Sequence, residues 1–491
     1  MASKSSSVLT PEAPKTSAPK VGFVSLGCPK NLVDSEVMMG FLANSGAELV
    51  PRAEDADVIV VNTCSFIESA QQESVNTILE MARHKAGRAK KLVVAGCLVE
   101  RFRDQIRKNI PEVDAVVGTG ELERIIAAAG ITSTQPSDSP FRILSGHSRA
   151  EGDVREQQGR FSRESWEGAV SDLPNYLYDD ATPRVLATPR HSAYIKIAEG
   201  CDHPCSFCII PQLRGKFRSR RFESVIAEAE RLARSGVREI TLIGQDTTCY
   251  GEDFGLKDGL AVLLEKLAGI DHLRWIRFLY AYPNKITSRL LETIAAHEKI
   301  CSYVDVPLQH ASAATLKRMK RGGSADIFLR TVEKIRRTIP DVTLRTSFIV
   351  GFPGESEKEF EELCEFVRAA GFDWMGTFAY SDQEGATAYA LEEKLPLKEI
   401  ERRRRHLMRI QQGISKRKKK RLRGRELEIL LEGPSSESDL LLEGRAEMHA
   451  PEIDGKLYIT DVGEGIEPAP GGFYRCQITE THDYDLVGRI V

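Results

Sequence analysis

The sequence predicts a multidomain α/β protein with three successive units: an N-terminal α/β domain on a parallel sheet, a central partial (β/α)6 barrel of the TIM type, and a small C-terminal β-barrel. Three observations predict this architecture. Short β-rich runs alternate with helical segments in residues 21–130, six such runs recur in residues 187–423, and residues 424–491 are β-rich and punctuated by Gly and Pro. A chain of 491 residues is also too long for one core.

The composition predicts a globular, cytoplasmic protein. Hydrophobic residues make up 41% and charged residues 28%, and the net charge of -3 gives no global sign of nucleic-acid binding. We expect no membrane association, because no run reaches the apolar length of a membrane span. Residues 1–20 lack an apolar region and are rich in Ser, Pro, Ala and Lys, which predicts a disordered tail. Ten cysteines without a secretory signal favour a reducing compartment and metal-binding or catalytic thiols.

Three strand-like runs of the first unit end on a cysteine. They are "VGFVSLGC", "ADVIVVNTC" and "KLVVAGC", which end on Cys28, Cys64 and Cys97. Helical segments separate them, a pattern typical of βαβ units with a parallel sheet. Ligands of open α/β sheets bind at the carboxyl ends of the strands, so we expect the three thiols to converge at one edge. The pattern favours a metal site there, with three buried small residues as the alternative.

The central unit follows an irregular, charged connector at residues 131–186, for which we predict no regular elements. Six βα repeats predict an incomplete TIM barrel, in which chemistry is expected at the C-terminal ends of the strands. The six strand-like runs are "SAYIKIAEG", "REITLIGQD", "LRWIRFLYA", "YVDVPLQH", "TLRTSFIVG" and "DWMGTFAYS".

The C-terminal unit, residues 424–491, has β-rich runs such as "LEILLEG" and "KLYITDV". Glycines and prolines punctuate them, which predicts a small barrel of about five strands.

The stretch "EGCDHPCSFCIIPQLRG" follows the first strand of the central unit and places Cys201, Cys205 and Cys208 within eight residues. A disulfide uses two thiols and a structural zinc site usually four, so three thiols suggest a metal centre with an open position. Zinc is the alternative, but no fourth thiol lies nearby, and His203 sits within the tight loop where ligation would be strained.

The spacing Cys201–x3–Cys205–x2–Cys208 resembles the cluster loop of the radical S-adenosylmethionine (SAM) enzymes. The resemblance implies a 4Fe–4S cluster on these thiolates, with SAM chelating the fourth iron and being cleaved to a 5′-deoxyadenosyl radical. It also implies SAM contacts by Phe207, by Gln245 in "LIGQDTT" and by Arg345 near "SFIVGFPGE". Strand-end packing or helix capping is the alternative role for each of these residues.

The succession of strand-end cysteines, radical SAM barrel and small β domain resembles the methylthiotransferases over nearly the whole chain. The resemblance implies a second 4Fe–4S cluster on Cys28, Cys64 and Cys97, and a C-terminal TRAM domain that recruits the substrate. The stretches "LGCPKNLVDSE" and "DVPLQHAS" are similar to the branch that acts on a ribosomal protein. The implied reaction is methylthiolation of an aspartate β-carbon in small-subunit ribosomal protein S-twelve, free or within the ribosome, with an electron-donor protein as a further partner.

Charge distribution provides an independent test of the substrate. Residues 424–491 contain 15 acidic and 5 basic residues, a net charge of -10, so residues 1–423 carry +7. An acidic surface repels RNA and attracts a basic ribosomal protein. Residues 401–425 contain 13 Lys and Arg against one acid, which fits a contact with ribosomal RNA or an acidic surface as well as it fits a solvated helix face.

Two alternative functions remain open at this point. One keeps the chemistry but takes a tRNA adenosine as substrate, which the acidic C-terminal unit disfavours. The other is a non-catalytic iron–sulfur module that binds the ribosome, which the SAM-site motifs disfavour.

Overall fold

The computed structural model describes residues 18–131, 173–438 and 440–491. Most of the predicted disordered tail, residues 1–17, and most of the predicted connector, residues 132–172, lie outside the described residues. The predicted architecture of two α/β units and a small β-barrel is confirmed.

The N-terminal unit is a five-stranded, wholly parallel sheet in the order β2-β1-β3-β4-β5. Its central strand has the sequence "VIVVNT" and is buried at every position, as expected where helices cover both faces of a parallel sheet. The sequence did not predict the two short edge strands. The strands are β1 Lys20–Ser25, β2 Glu48–Val50, β3 Val58–Thr63, β4 Lys91–Gly96 and β5 Ala115–Val117, and the α-helices are α1 Pro29–Asn44, α2 Glu68–Ala82, α3 Cys97–Asn109 and α4 Ile125–Ala129.

The central unit is a partial barrel of six parallel strands, all of which the sequence predicted. Three form the sheet β10-β9-β6 and three form the sheet β11-β12-β13, so β6 and β13 are the two open edges. A small antiparallel pair, β7 and β8, flanks the cysteine loop. The strands are β6 Ser192–Lys196, β7 Ala198–Glu199, β8 Arg218–Ser219, β9 Glu239–Ile243, β10 Trp275–Phe278, β11 Tyr303–Asp305, β12 Thr343–Val350 and β13 Trp374–Ala379.

Helices cover the outside of this partial barrel. α11 begins with a capping box in which the hydroxyl of Ser356 accepts from the amide of Glu359, and the Glu359 side chain accepts from the Ser356 amide. The helices are α5 Ile210–Arg214, α6 Phe222–Arg234, α7 Gly259–Ala268, α8 Ser288–Ala296, α9 Ala313–Arg318, α10 Ala325–Thr338, α11 Glu357–Ala370 and α12 Leu397–Lys420.

The C-terminal unit is a closed barrel of five strands in the order β14-β15-β16-β18-β17. Its inward residues, including Ile429, Leu457 and Ile478, form a separate small core. The strands are β14 Glu426–Pro434, β15 Leu442–Ala446, β16 Leu457–Val462, β17 Phe473–Thr481 and β18 Leu486–Ile490.

Helices of the N-terminal unit contact both open edges of the partial barrel. Helix α1 packs on β6. On the other side, Gln71 donates a hydrogen bond to Gln383, and Arg101 donates to the carbonyl of Glu384, beyond the end of β13. The N-terminal unit therefore covers the gap between β6 and β13. At this interface the carboxyl ends of the N-terminal strands face the carboxyl ends of the barrel strands.

The C-terminal barrel contacts the other end of the central strands. Arg445 pairs with Glu239, the first residue of β9, and the indole of Trp374, the first residue of β13, donates to the carbonyl of Met448. Arg274, directly before β10, pairs with Glu428. This barrel therefore lies at the amino ends of the strands.

Candidate active site

Cys28, Cys64 and Cys97 follow three adjacent strands, β1, β3 and β4, at the carboxyl edge of the N-terminal sheet. Two glycines with left-handed backbone let the three loops approach each other. A Cβ on Gly27 (φ +90°) would lie 2.8 Å from Cβ of Cys64, and one on Gly96 (φ +94°) would lie 2.6 Å from the carbonyl oxygen of Thr63. Burial raises the pKa of Cys97 to about 12, and the neighbouring thiols of Cys28 and Cys64 add to this rise. The three thiols are therefore close to one another.

Buried side chains fix the loops that carry this triad. The Asn31 amide donates to the carbonyls of Leu26 and Thr63, at 2.6 and 3.2 Å. The Ser74 hydroxyl donates to the carbonyl of Cys64 and accepts from its amide. The loops are thus held by protein groups on both sides of the cysteines, as a ligand site requires.

The second triad lies on the loop between β7 and α5. Within this loop the Cys208 amide donates to the carbonyl of Cys205, and Arg321 donates to the sulfur of Cys205 at 3.5 Å. Burial raises the pKa of Cys201 to about 11 and that of Cys208 to about 12. Metal binding at these thiols would therefore be coupled to proton release.

Neither cysteine triad forms a tight ligand group in the described structure. Tetrahedral Zn–S bonds of 2.3 Å place ligand sulfurs about 3.8 Å apart. Across the described residues, the group whose ligand atoms lie within 4.8 Å of one another is His203, Asp246 and Cys249, which includes neither triad. In this group Nε2 of His203 lies 2.6 Å from Oδ2 of Asp246, and the Cys249 thiol donates to the same oxygen at 3.1 Å.

Asp246 positions His203 in the cysteine loop. Its Oδ1 accepts from the amide and the hydroxyl of Thr248, at 2.8 and 2.5 Å, so both carboxylate oxygens are occupied. The imidazole of His203 also stacks on Tyr282, with ring centroids 3.9 Å apart. Hydrogen bonding and stacking thus account for this group without an ion.

A buried charge network joins the two triads. The guanidinium of Arg214, 2% exposed, donates to Asp34 at 2.9 Å, to Glu199 at 3.2 Å and to the sulfur of Cys97 at 3.6 Å. Lys196 lies 2.5 Å from both carboxylates. Two cations thus face two carboxylates, and they outweigh the effect of burial, so that the pKa of Glu199 falls well below its usual range.

A second ion network lies on the described part of the predicted connector. Arg184 pairs with Glu36 of α1 and with Glu228 of α6, and all three side chains are buried. Residues 173–186 contain no helix or strand, yet they tie the N-terminal unit to the barrel.

The predicted SAM contacts lie in different surroundings. Gln245 donates to Glu199 at 2.6 Å, while its Oε1 is buried without a hydrogen-bond partner in the described structure. Phe207 packs against the cluster that contains Met319 and Phe352. The guanidinium of Arg345 has two carboxylate neighbours, Asp305 at 2.8 Å and Asp454 of the C-terminal barrel at 3.5 Å. The SAM-binding role of all three residues stays a prediction.

Sequence reasoning missed Lys30 and Tyr280. The Lys30 ammonium lies 3.4 Å from the centroid of the Tyr280 ring and donates to the carbonyl of Gly244 at 3.2 Å. Tyr280 has φ +66°, a sparsely populated region for a bulky residue. Burial raises the pKa of Tyr280, Lys30 opposes this rise and Cys28 adds to it. The position of Lys30, two residues after Cys28, was the available signal; nothing local indicates the backbone of Tyr280.

Comparison with known proteins gives long, high-identity relatives. The chain is 69% identical to the "Ribosomal protein uS12 methylthiotransferase RimO" of Koribacter versatilis, across 99% of both chains. It is 57% identical to the protein of that name from Solibacter usitatus, across 96% of this chain and 95% of the relative. The chain belongs to the uS12 methylthiotransferase family.

Three domain families agree with this membership, and a solved structure shares the fold. Residues 20–118 match "Uncharacterized protein family UPF0004", residues 195–367 the radical SAM superfamily, and residues 424–491 the TRAM domain. The radical SAM methyltransferase TsrM from Kitasatospora setae, solved with cobalamin and a 4Fe–4S cluster, shares the fold with TM-score 0.50 and 16% identity, over 74% of this chain and 75% of TsrM. No helix in the described parts of this methylthiotransferase has the length and apolarity of a membrane span.

The described residues fit the cofactors that this family implies, namely SAM and two 4Fe–4S clusters. The Ser65 hydroxyl, next to Cys64, and Oε1 of Gln245 are buried without partners in the described structure. Such atoms supply a donor beside one triad and an acceptor beside the other. Arg214 and Arg321 direct N–H groups at Cys97 and Cys205, the kind of donors that tune iron–sulfur centres.

A cavity of about 560 Å³ does not belong to this site. Trp275, Thr343 and Met448 line it, so it lies between the amino ends of the barrel strands and the TRAM domain. Chemistry in barrels of this type takes place at the carboxyl ends.

Proposed function

We propose that this enzyme replaces a hydrogen on the β-carbon of an aspartate in ribosomal protein uS12 with a methylthio group. The relatives at 69% and 57% identity are named uS12 methylthiotransferases, and the aspartate β-carbon is the target that the family resemblance implies. The tRNA alternative is not favoured by these relatives.

One observation carries the proposal: the two cysteine triads meet across a single interface. Cys97 packs against Ile209, which directly follows Cys208 of the second triad, and against Leu213 of α5. A substrate carbon bound at this interface would lie within reach of both triads, as hydrogen abstraction and sulfur insertion at one carbon require.

Each triad has a distinct proposed role. Cys201, Cys205 and Cys208 would hold the cluster that binds SAM, and Cys28, Cys64 and Cys97 would hold the auxiliary cluster. When bound, these groups supply the 5′-deoxyadenosyl radical and the sulfur, respectively. Phe207, Gln245 and Arg345 would contact SAM. The chain itself holds the two sites in register through the buried network around Arg214.

Anaerobic incubation of the reconstituted protein with uS12, SAM and a reductant tests the proposal. Mass spectrometry of uS12 should show one added methylthio group on an aspartate, whereas tRNA in a parallel reaction should stay unmodified. A Cys64→Ala variant should still cleave SAM but yield no methylthio product. Modification of tRNA in preference to uS12, or normal product from the Cys64 variant, would contradict the assignment.

The distribution of charged residues along the chain indicates further partners. We propose that the acidic TRAM domain attracts the basic uS12, and that an electron-donor protein reduces the clusters in the cytoplasm. Three of the four N-terminal arginines of α12 are paired, since Arg402 pairs with Glu357, Arg403 with Glu399 and Arg404 with Glu401. A ribosomal RNA contact would therefore involve the exposed residues Arg417, Lys420 and Arg421. Their reversal to Glu should weaken ribosome binding and flatten its salt dependence.

A further inference from the structure

Lys30 is a buried cation without a carboxylate partner in the described structure. Its side chain is 8% exposed, and its ammonium contacts the Gly244 carbonyl and the face of Tyr280. Other buried cations at this interface, such as Lys196 and Arg214, pair with carboxylates. An ammonium carries three donors, and burial of an unpaired charge is unfavourable. The surroundings of Lys30 therefore suit an additional anion.

The ammonium lies where the two triads meet. Lys30 is two residues from Cys28, on the first turn of α1. Gly244 opens the loop after β9, in which the next residue, Gln245, bonds to Glu199 beside the second triad. The left-handed backbone of Tyr280 turns its ring under the ammonium, and strained residues of this kind cluster at functional sites.

We propose that Lys30 binds the side-chain carboxylate of the target aspartate and thereby selects aspartate as the substrate. This inference rests on the proposed function. In aspartate the carboxylate is attached directly to the β-carbon that reacts, so an ammonium that holds the carboxylate also positions that carbon. A charge-assisted N–H···O bond supplies both attraction and orientation.

The test compares Lys30→Met with Lys30→Arg, which keeps the charge, and with the matched control Lys108→Met on the exposed surface of α3. Each reconstituted protein is titrated anaerobically with uS12 carrying aspartate or asparagine at the target position. Lys30→Met should weaken binding of the aspartate form by about tenfold to a hundredfold. Its affinity for the asparagine form should match that of the wild type, Lys30→Arg should retain most of the preference, and Lys108→Met all of it.

Three results would overturn the inference while leaving the proposed function intact: equal weakening for both forms of uS12, loss of SAM affinity with unchanged uS12 affinity, or a shift only in the midpoint potential of the auxiliary cluster. They would assign Lys30 to folding, to SAM or to the cluster, respectively. A wild-type protein that neither binds nor modifies uS12 would overturn the proposed function itself, and the inference with it.

Discussion

Replacing Arg214 with Met should uncouple the N-terminal unit from the barrel. Arg214 and Lys196 balance Asp34 and Glu199 in a fully buried network, and the substitution leaves two carboxylates with one cation. Removing one partner of a buried ion pair costs about 3–5 kcal/mol. Since 1.4 kcal/mol corresponds to a tenfold change, opening of this interface should become more frequent by a factor of about a hundred or more.

Hydrogen exchange of the metal-free, reduced protein measures this opening directly. Amides of α1 should lose protection by that factor in Arg214→Met, because α1 carries Asp34 into the network. The double variant Arg214→Met, Asp34→Asn restores charge balance and should recover part of the protection. Arg221→Met, an exposed arginine nearby, is the control and should change little. Exchange in α1 within about threefold of the wild type would refute the role of the network, since an interface worth even 1 kcal/mol would exceed that.

Three further predictions concern the clusters, the TRAM domain and pH. Replacing Cys201, Cys205 and Cys208 with Ala should remove half of about eight irons and abolish SAM cleavage; full iron content by chemical assay would contradict this. The exposed residues Asp461, Glu464 and Glu467 can be replaced with Lys. This charge reversal should weaken uS12 binding, most strongly at low salt, and strengthen tRNA binding. Titration against both partners measures the effect, and unchanged affinities would argue against electrostatic steering. Burial lowers the pKa of Lys419 to about 8. Below pH 8 the buried ammonium therefore destabilises the folded state, and this destabilisation decreases as the pH rises toward the pKa of the unfolded state, near 10.4. The free energy of unfolding of the wild type, measured in urea, should therefore increase by up to about 3 kcal/mol over this pH range relative to that of Lys419→Met. Parallel pH profiles of the two proteins would contradict this prediction.

Local sequence patterns predicted the elements whose formation depends on neighbouring residues in the chain. Buried parallel strands read as apolar runs, so the three runs ending at Cys28, Cys64 and Cys97 and the six barrel strands were recognisable. The spacing of the cysteines in the loop after β7 indicated the radical SAM chemistry. The short strands β2 and β5 were missed, because three residues at a sheet edge leave no periodic signal.

The contacts between units could not be predicted from local pattern. Glu36 lies on a helix whose sequence gives no reason to bury an acid, and its partner Arg184 is 148 residues away. Arg184 itself belongs to a segment without elements, to which the sequence assigned no role. The same holds for Lys30 and Tyr280, since their meeting depends on how α1 docks against the loop after β10.

We expect recruitment of uS12 and selection of its target residue to depend on different parts of the chain. The TRAM domain lies at the amino ends of the barrel strands and the cysteine loops lie at the carboxyl ends. The TRAM acids Asp461, Glu464 and Glu467 are exposed to solvent, whereas Asp454 of the same domain contacts Arg345 of β12. We therefore propose that the exposed acids attract uS12 as a whole, and that groups at the interface of the triads, such as Lys30, select the reacting aspartate. Deleting residues 424–491 would leave the buried Glu239 without Arg445, which is why charge reversal on the exposed loop is the cleaner test of recruitment.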